Sequence, residues 1–316
     1  MHEAPAPRKA TPQPSGGPVA FAALLGGNLA LAFGPWFVRL ADVGPVAAGL
    51  WLIALATPLL LAIAAMTTRH VLASARGLGW VLVGSGVLFA GDLASWHVGI
   101  HHTKLANATL FGNAATFVFP LYGFLVARAW PTRVQGLALG LAAVGAALLM
   151  GRSYQLAPQN LVGDLLCLLA GILYAGYFIL MSRARTTMAP LPALGLSSAA
   201  ATLPLLLSAI LLGEKVMPTN WTPLIALALL SQVIGQGLMI YALGRFSPLV
   251  IGLALLTQPV VAAAVGWIVY GEALGLADVI GAVLVAIALV LVRIAPERAP
   301  ARPGNAGVAQ ETSPRV

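Results

Sequence analysis

Charged side chains are scarce in this chain. Asp, Glu, Lys and Arg make up 8% of its 316 residues, against about 25% in a soluble globular domain. That scarcity excludes a water-soluble fold, and a mean hydropathy of +0.92 points to a polytopic membrane protein. The apolar runs are too continuous for a β-barrel, whose strands alternate in polarity. One cysteine, Cys167, excludes an intrachain disulfide framework. A P-loop is missing, so ATP is not expected to drive the protein. HExxH, GxSxG and paired-aspartate metal motifs are missing too, which leaves little chemistry for a membrane-embedded enzyme such as a lipid transferase. No apolar core of a signal peptide opens the chain, because residues 1–18 are polar and Pro-rich, so a cleaved leader is not expected. Residues 1–17 and 295–316 read as disordered tails.

What the chain has is a succession of apolar runs. Ten are found, at about 18–38, 45–66, 78–99, 104–127, 132–150, 162–182, 191–212, 222–243, 247–270 and 275–293. Each is close to the roughly 20 residues that a bilayer crossing takes. The fold class expected is all-α, with ten transmembrane helices. Their loops are too short for a soluble domain. Ten crossings put both termini on one side. The loops and tails of that side hold 13 of the 17 Lys and Arg residues, and the opposite side holds Arg39, Lys104, Arg152 and Lys215. This bias predicts cytoplasmic termini in a cell inner (plasma) membrane. It also makes the net charge of +8 a topology signal and not a nucleic-acid surface.

The halves repeat. Ala56-Thr57-Pro58 followed by leucines returns as Ala201-Thr202-Leu203-Pro204 followed by leucines, and Leu24-Leu25-Gly26-Gly27 returns as Leu168-Leu169-Ala170-Gly171. Five helices per copy, an odd number, invert the second copy. The reading is of two inverted repeats, 18–150 and 162–293, with a substrate site near the mid-plane where they meet. Residues 247–293 are the clearest stretch. Thr257, Gln258 and Pro259 interrupt an apolar run at mid-depth, and a polar group there needs protein or water in place of lipid.

With these residues in place, the sequence resembles the ten-helix EamA-type members of the drug/metabolite transporter superfamily. The resemblance rests on Gly163-Asp164-Leu165-Leu166, Ala170, Tyr174-Ala175, Tyr177 and Ser182-Arg183 at a repeat start. At a repeat end it rests on Gln258-Pro259-Val260, Gly271-Glu272-Ala273-Leu274 and Gly281. The first half departs from the pattern. Ala127-Arg128-Ala129-Trp130-Pro131 stands where Gly-Glu is expected, and the Gln-Pro position falls near Ala115-Thr116. Aromatic content and polar mid-plane look most like the amino-acid exporter branch, which implies export of amino acids, aromatic ones among them.

Asp92 is the sharpest single signal, because a carboxylate at a helix centre costs about 2.5–3.5 kcal/mol on insertion scales. Ser85, Asp92, Trp96 and Gly99 share one face of their helix. Asn28, Asn113, Ser231, Gln232, Gln236 and Gln258 fall near the same depth. Hydrogen bonds between helices explain any one of them, while their convergence at one level favours a binding site. Among the aromatics, Trp96 and Tyr174 have the better claim, since rings hold apolar groups and attract ammonium. The substrate-binding set is therefore Asn28, Asp92, Trp96, Asn113, Tyr174, Gln232 and Gln258. His97 and His101 stand at i and i+4, but no Cys or further carboxylate completes a metal site nearby in sequence. No metal and no cofactor are expected.

The expected function is a secondary transporter that moves a small metabolite, an amino acid first, outward by alternating access. Proton antiport through Asp92 and facilitated diffusion both fit. Multidrug or cation efflux is the rival within the class. Sugar-nucleotide transport would need buried Lys or Arg for phosphate, and none stands at mid-depth. The chain can act as a monomer or a homodimer. The topology is checked by cysteine labelling at Arg69, Arg128 and Arg183. These positions should resist impermeant reagent in intact cells and label only after permeabilisation.

Overall fold

The computed structural model describes residues 16–103, 108, 111–151, 158–270 and 275–294. Residues 1–15 of the first expected tail, all of the second, Lys104, Thr109, Arg152 and the Gly271–Leu274 turn with Glu272 lie outside the described residues. Within them the chain is helical, and ten segments follow one another. They are α1 (Pro18–Leu40), α2 (Pro45–Thr67), α3 (Gly79–Gly99), α4 (Ala115–Ala127), α5 (Arg133–Gly151), α6 (Leu161–Ala184), α7 (Pro190–Leu211), α8 (Thr222–Leu243), α9 (Pro248–Leu255 and Thr257–Tyr270) and α10 (Leu276–Ile294). Among the described residues eight of these are long and apolar enough to cross a membrane, and α4 and α5 are shorter apolar helices. The protein is a multi-pass membrane protein.

Proline starts many of these helices. Pro18, Pro45, Pro190 and Pro248 each occupy the first turn, where the missing N–H is no loss and φ is already helical. Inside α2 and α7, Pro58 and Pro204 free a carbonyl upstream and bend the helix. The repeated threonine beside each proline bonds back to its own helix. The Thr57 hydroxyl donates to Ile53 O at 2.8 Å, and the Thr202 hydroxyl donates to Ser198 O at 3.1 Å. The short repeat seen in the sequence thus has the same local chemistry in both copies.

Four segments are irregular near mid-span. α1 breaks at Phe33 and α9 breaks at Leu256. α4 starts after a turn at Asn113 and Ala114. Residues Ala228–Gln236 of α8 form a nine-residue π-helix. The α4 turn and the α9 break stand at matching places in the two halves, although only α9 has the Gln-Pro pair.

Helix pairing has the symmetry of a repeated five-helix unit. α3 packs on α6, and their counterparts α8 and α1 pack on each other. α2 pairs with α7, α4 with α9 and α5 with α10. The contact of α2 with α8 answers that of α7 with α3, and the contact of α6 with α4 answers that of α1 with α9. α5 and α10 pack on each other and against α9, at the edge of the bundle. Their crossing depends on two glycines. A Cβ on Gly145 would lie 2.8 Å from Gly281 O, and a Cβ on Gly281 would lie 2.8 Å from Gly145 O. Small residues let backbones approach this closely in lipid.

Loops that ten crossings place on one face do meet. On one face Asp42, between α1 and α2, accepts from Lys215 Nζ and Thr219 N, both at 2.9 Å, and from the Thr219 hydroxyl. Thr219 and Lys215 hold its carboxyl well below the usual carboxylate range. This charge-dependent latch therefore persists at ordinary pH and fades only under strong acid. Beside it Glu214 caps α2, accepting from Ala47 N at 2.8 Å and Val46 N at 3.2 Å. Trp51 Nε1 donates to Val216 O at 2.7 Å and the ring meets Trp221 edge-on. On the opposite face, Arg293 donates to Gly16 O at 2.7 Å, and Arg185 Nε donates to Ile240 O at 2.9 Å.

Gly281→Val should cost about 1–3 kcal/mol by overpacking the α5–α10 crossing, whereas Val283→Leu on the exposed face of α10 should be neutral. Thermal unfolding in detergent checks the pair.

Candidate functional site

The site is built from α3 and α6, the helix pair with the most extensive contact. Tyr174, Tyr177 and Phe178 recur at i, i+3 and i+4 and so share one face of α6. Phe89 faces them from α3. Ring centroids lie 6.1 Å apart for Phe89–Tyr174, 4.6 Å for Phe89–Tyr177 and 4.4 Å for Tyr174–Phe178. Phe119 of α4 extends the cluster to Phe178 at 5.6 Å. Asp92 lies one turn along α3 from Phe89, half-buried, and acts electrostatically on both Tyr174 and Tyr177. Among the described residues none hydrogen-bonds or pairs with its carboxylate. A buried polar group without a partner calls for an explanation, and inside a membrane-spanning bundle it marks a candidate for function.

α8 closes the site. The Tyr174 hydroxyl donates to Gln236 Oε1 at 3.3 Å. Gln236 is fully buried, yet its Nε2 has no hydrogen-bond partner among the described residues, and neither has the Tyr177 hydroxyl nearby. Gln236 ends the π-helix, an irregularity frequent at functional sites. The preceding residue, Gly235, lies against α1, where a Cβ on Gly27 would be 2.9 Å from Gly235 O. Asn28 follows directly. Its Nδ2 donates to Leu24 O at 3.0 Å, and its Oδ1 accepts from Gln258 Nε2 at 2.9 Å, just past the α9 break. A layer of polar groups thus runs from Asp92 through Tyr174 and Gln236 to the neighbourhood of Asn28 and Gln258, at the level of the helix breaks.

The seven residues expected from the sequence fall into local groups. Asp92 and Tyr174 are brought together, and so are Asn28 and Gln258. Gln232 turns elsewhere, its Nε2 donating to Ser198 Oγ of α7 at 3.0 Å. That is a helix-joining bond of the kind expected for single polar residues. Ser85, on the same α3 face as Asp92, is likewise engaged by Ser197 at 2.7 Å. Trp96 lies over the start of α4, its Nε1 being 3.0 Å from where a Gly112 Cβ would stand. Asn113 sits in the adjoining turn, its carbonyl accepting from Thr116 N at 2.9 Å. His97 is buried with Nδ1 unpartnered, against Gly49 of α2, and His101 is exposed.

Phe89, Tyr177, Phe178 and Gln236 stand in this candidate site and are missing from the sequence-based set. Phe89 stands at i+4 from Ser85 and i−3 from Asp92, inside the same stripe, so the signal for it was present. Gln236 lies in the π-helix, whose i→i+5 bonding turns side chains away from the faces that a 3.6-residue period assigns.

The Asn28–Gln258 pair gives a direct check on its structural share. Asn28→Ala and Gln258→Ala should each destabilise the protein by about 1–2 kcal/mol, and the double variant by little more than one alone, as a coupled pair requires. Unfolding curves of the four proteins measure this.

Comparison with known proteins adds the following. The sequence model of the EamA-like transporter family matches residues 161–294. No curated protein matches the chain. A solved crystal structure, described only as that of a protein, has a TM-score of 0.70 at 16% identity, covering 87% of this chain and 94% of the other. The fold is therefore shared over nearly the full length, while the sequence match is confined to the second half. Residues 161–294 are thus similar in sequence to the EamA-like transporter family.

Proposed function

We propose that the protein is a secondary transporter that exports small metabolites bearing an amino group, a class that spans amino acids, their amide and alcohol derivatives, and amines. It works by alternating access of two inverted repeats about a mid-plane cavity. The observation that carries this reading is Asp92, a carboxylate inside the bundle with no protein partner, facing two tyrosines and flanked by interrupted helices. An ammonium group satisfies that carboxylate and the ring faces together. Broken helices at the same depth supply N–H groups and carbonyls for the rest of a small polar ligand. Asn28, Asp92, Trp96, Asn113, Tyr174, Gln236 and Gln258 are proposed to line the path. Gln232 serves through its bond to Ser198, as a residue that positions α8 against α7. The helix breaks at Phe33, Asn113 and Leu256 provide places where the halves can flex.

A second reading, efflux of organic cations, is favoured by the ring cluster around Asp92. Both readings share the site and differ in what accompanies the ammonium group.

Purified protein in liposomes tests the proposal. Asp92→Asn should lower efflux by about 10- to 100-fold, the worth of one charge-assisted hydrogen bond of roughly 1.5–3 kcal/mol. Its folded yield should stay close to that of the unaltered protein. If efflux by a well-folded Asp92→Asn protein is unchanged, the proposed role of Asp92 is wrong. An imposed pH gradient separates antiport from diffusion, since only antiport concentrates substrate against its gradient.

A further inference from the structure

From the charge and hydrogen-bonding pattern around Asp92 we infer the substrate class. The site takes a monocation, an ammonium on an apolar or aromatic body with a neutral oxygen next to the nitrogen, in preference to a zwitterion. This inference rests on the transporter reading of the same site.

Charge balance is the first reason. Asp92 contributes one negative charge. Every described Lys and Arg lies in a loop or at a helix end: Arg39, Arg69, Arg76, Arg128, Arg133, Arg183, Arg185, Lys215, Arg245 and Arg293. A zwitterion would neutralise Asp92 with its ammonium and then place its own carboxylate a few ångströms away with no cation among the described residues to meet it. Like charges that close repel strongly where water is sparse. A monocation leaves the site neutral.

The second reason is the wall. Phe89, Tyr174, Tyr177 and Phe178 form a contiguous ring surface with centroid spacings of 4.4–6.1 Å. Such a surface attracts a cation through its faces and accepts an apolar body. The ring faces themselves repel an anion.

The third reason is the leftover hydrogen-bonding capacity. Among the described residues, Gln236 Nε2 and the Tyr177 hydroxyl are buried with no partner within hydrogen-bond distance. An amide nitrogen can only donate, and a phenol donates readily. Two donors left over beside one acceptor carboxylate call for a ligand with a donor and an acceptor close together. With the charge already balanced, that acceptor is a hydroxyl or a carbonyl.

Three probes separate the possibilities at pH 7: L-phenylalaninol (cation with a neutral hydroxyl), phenethylamine (cation without it) and L-phenylalanine (zwitterion). Calorimetric titration of the full chain in lipid nanodiscs should rank them in that order, with phenylalaninol bound at least about tenfold tighter than phenylalanine. Asp92→Asn should erase the preference for phenylalaninol over phenylalanine. Tyr177→Phe and Gln236→Leu should each bring phenylalaninol down to the level of phenethylamine and leave phenethylamine unchanged. Phenylalanine binding as tightly as phenylalaninol to the unaltered protein would overturn the charge inference and leave the transporter reading standing. Failure of all three probes to bind folded protein would remove both.

Discussion

A polar group in hydrocarbon must find its partner inside the protein, and the architecture depends on that constraint. It explains why α4 and α9, both interrupted, pack against each other, since a break facing lipid would strand backbone groups. It also explains why Asn28 meets Gln258 across 230 residues of chain and why Gln232 meets Ser198. Against this background of satisfied groups the exceptions stand out. Among the described residues, the Asp92 carboxylate, Gln236 Nε2 and the Tyr177 hydroxyl are left over close to one another, and His97 Nδ1, Thr116 Oγ1 and Ser231 Oγ are left over singly.

The bundle was legible because apolar run length and the placement of Lys and Arg are strong, local signals. Interrupted segments were partly legible. Gln258-Pro259 announced the α9 break, whereas the α4 turn at Asn113 and Ala114 carries no proline and the break at Phe33 falls two residues before Pro35. The π-helix in α8 was not legible, because nothing in Ala228–Gln236 differs in composition from an ordinary apolar helix. That stretch decided which glutamine reaches Tyr174. Asp92 was legible as a cost. Its aromatic surroundings required knowing which face of α6 turns toward α3, which depends on tertiary packing.

The two halves match the family unequally. Residues 161–294 match its sequence model, and the first half, outside that match, shares the helix pairing. Arg128 shows what packing can hold in that half. It ends α4 at φ 47°, a left-handed conformation that glycine adopts freely and an arginine adopts only at a cost of roughly 1–2 kcal/mol. Such a conformation persists where packing partners rather than local preference fix a helix end.

The latch of Asp42 and Glu214 has a consequence for the order of assembly. The connection after α1 finds its partners in Lys215 and Thr219, more than 170 residues downstream, and α1 itself packs chiefly on α8 and α9. As the chain leaves the ribosome, the first helix must wait in the bilayer until the eighth has been inserted. The amino-terminal half is then a partner held in reserve and not a module that matures alone. A chain truncated before Lys215 would leave α1 without the Asp42 latch and without α8 and α9, its chief neighbours, exposed to quality-control proteases for as long as they are missing.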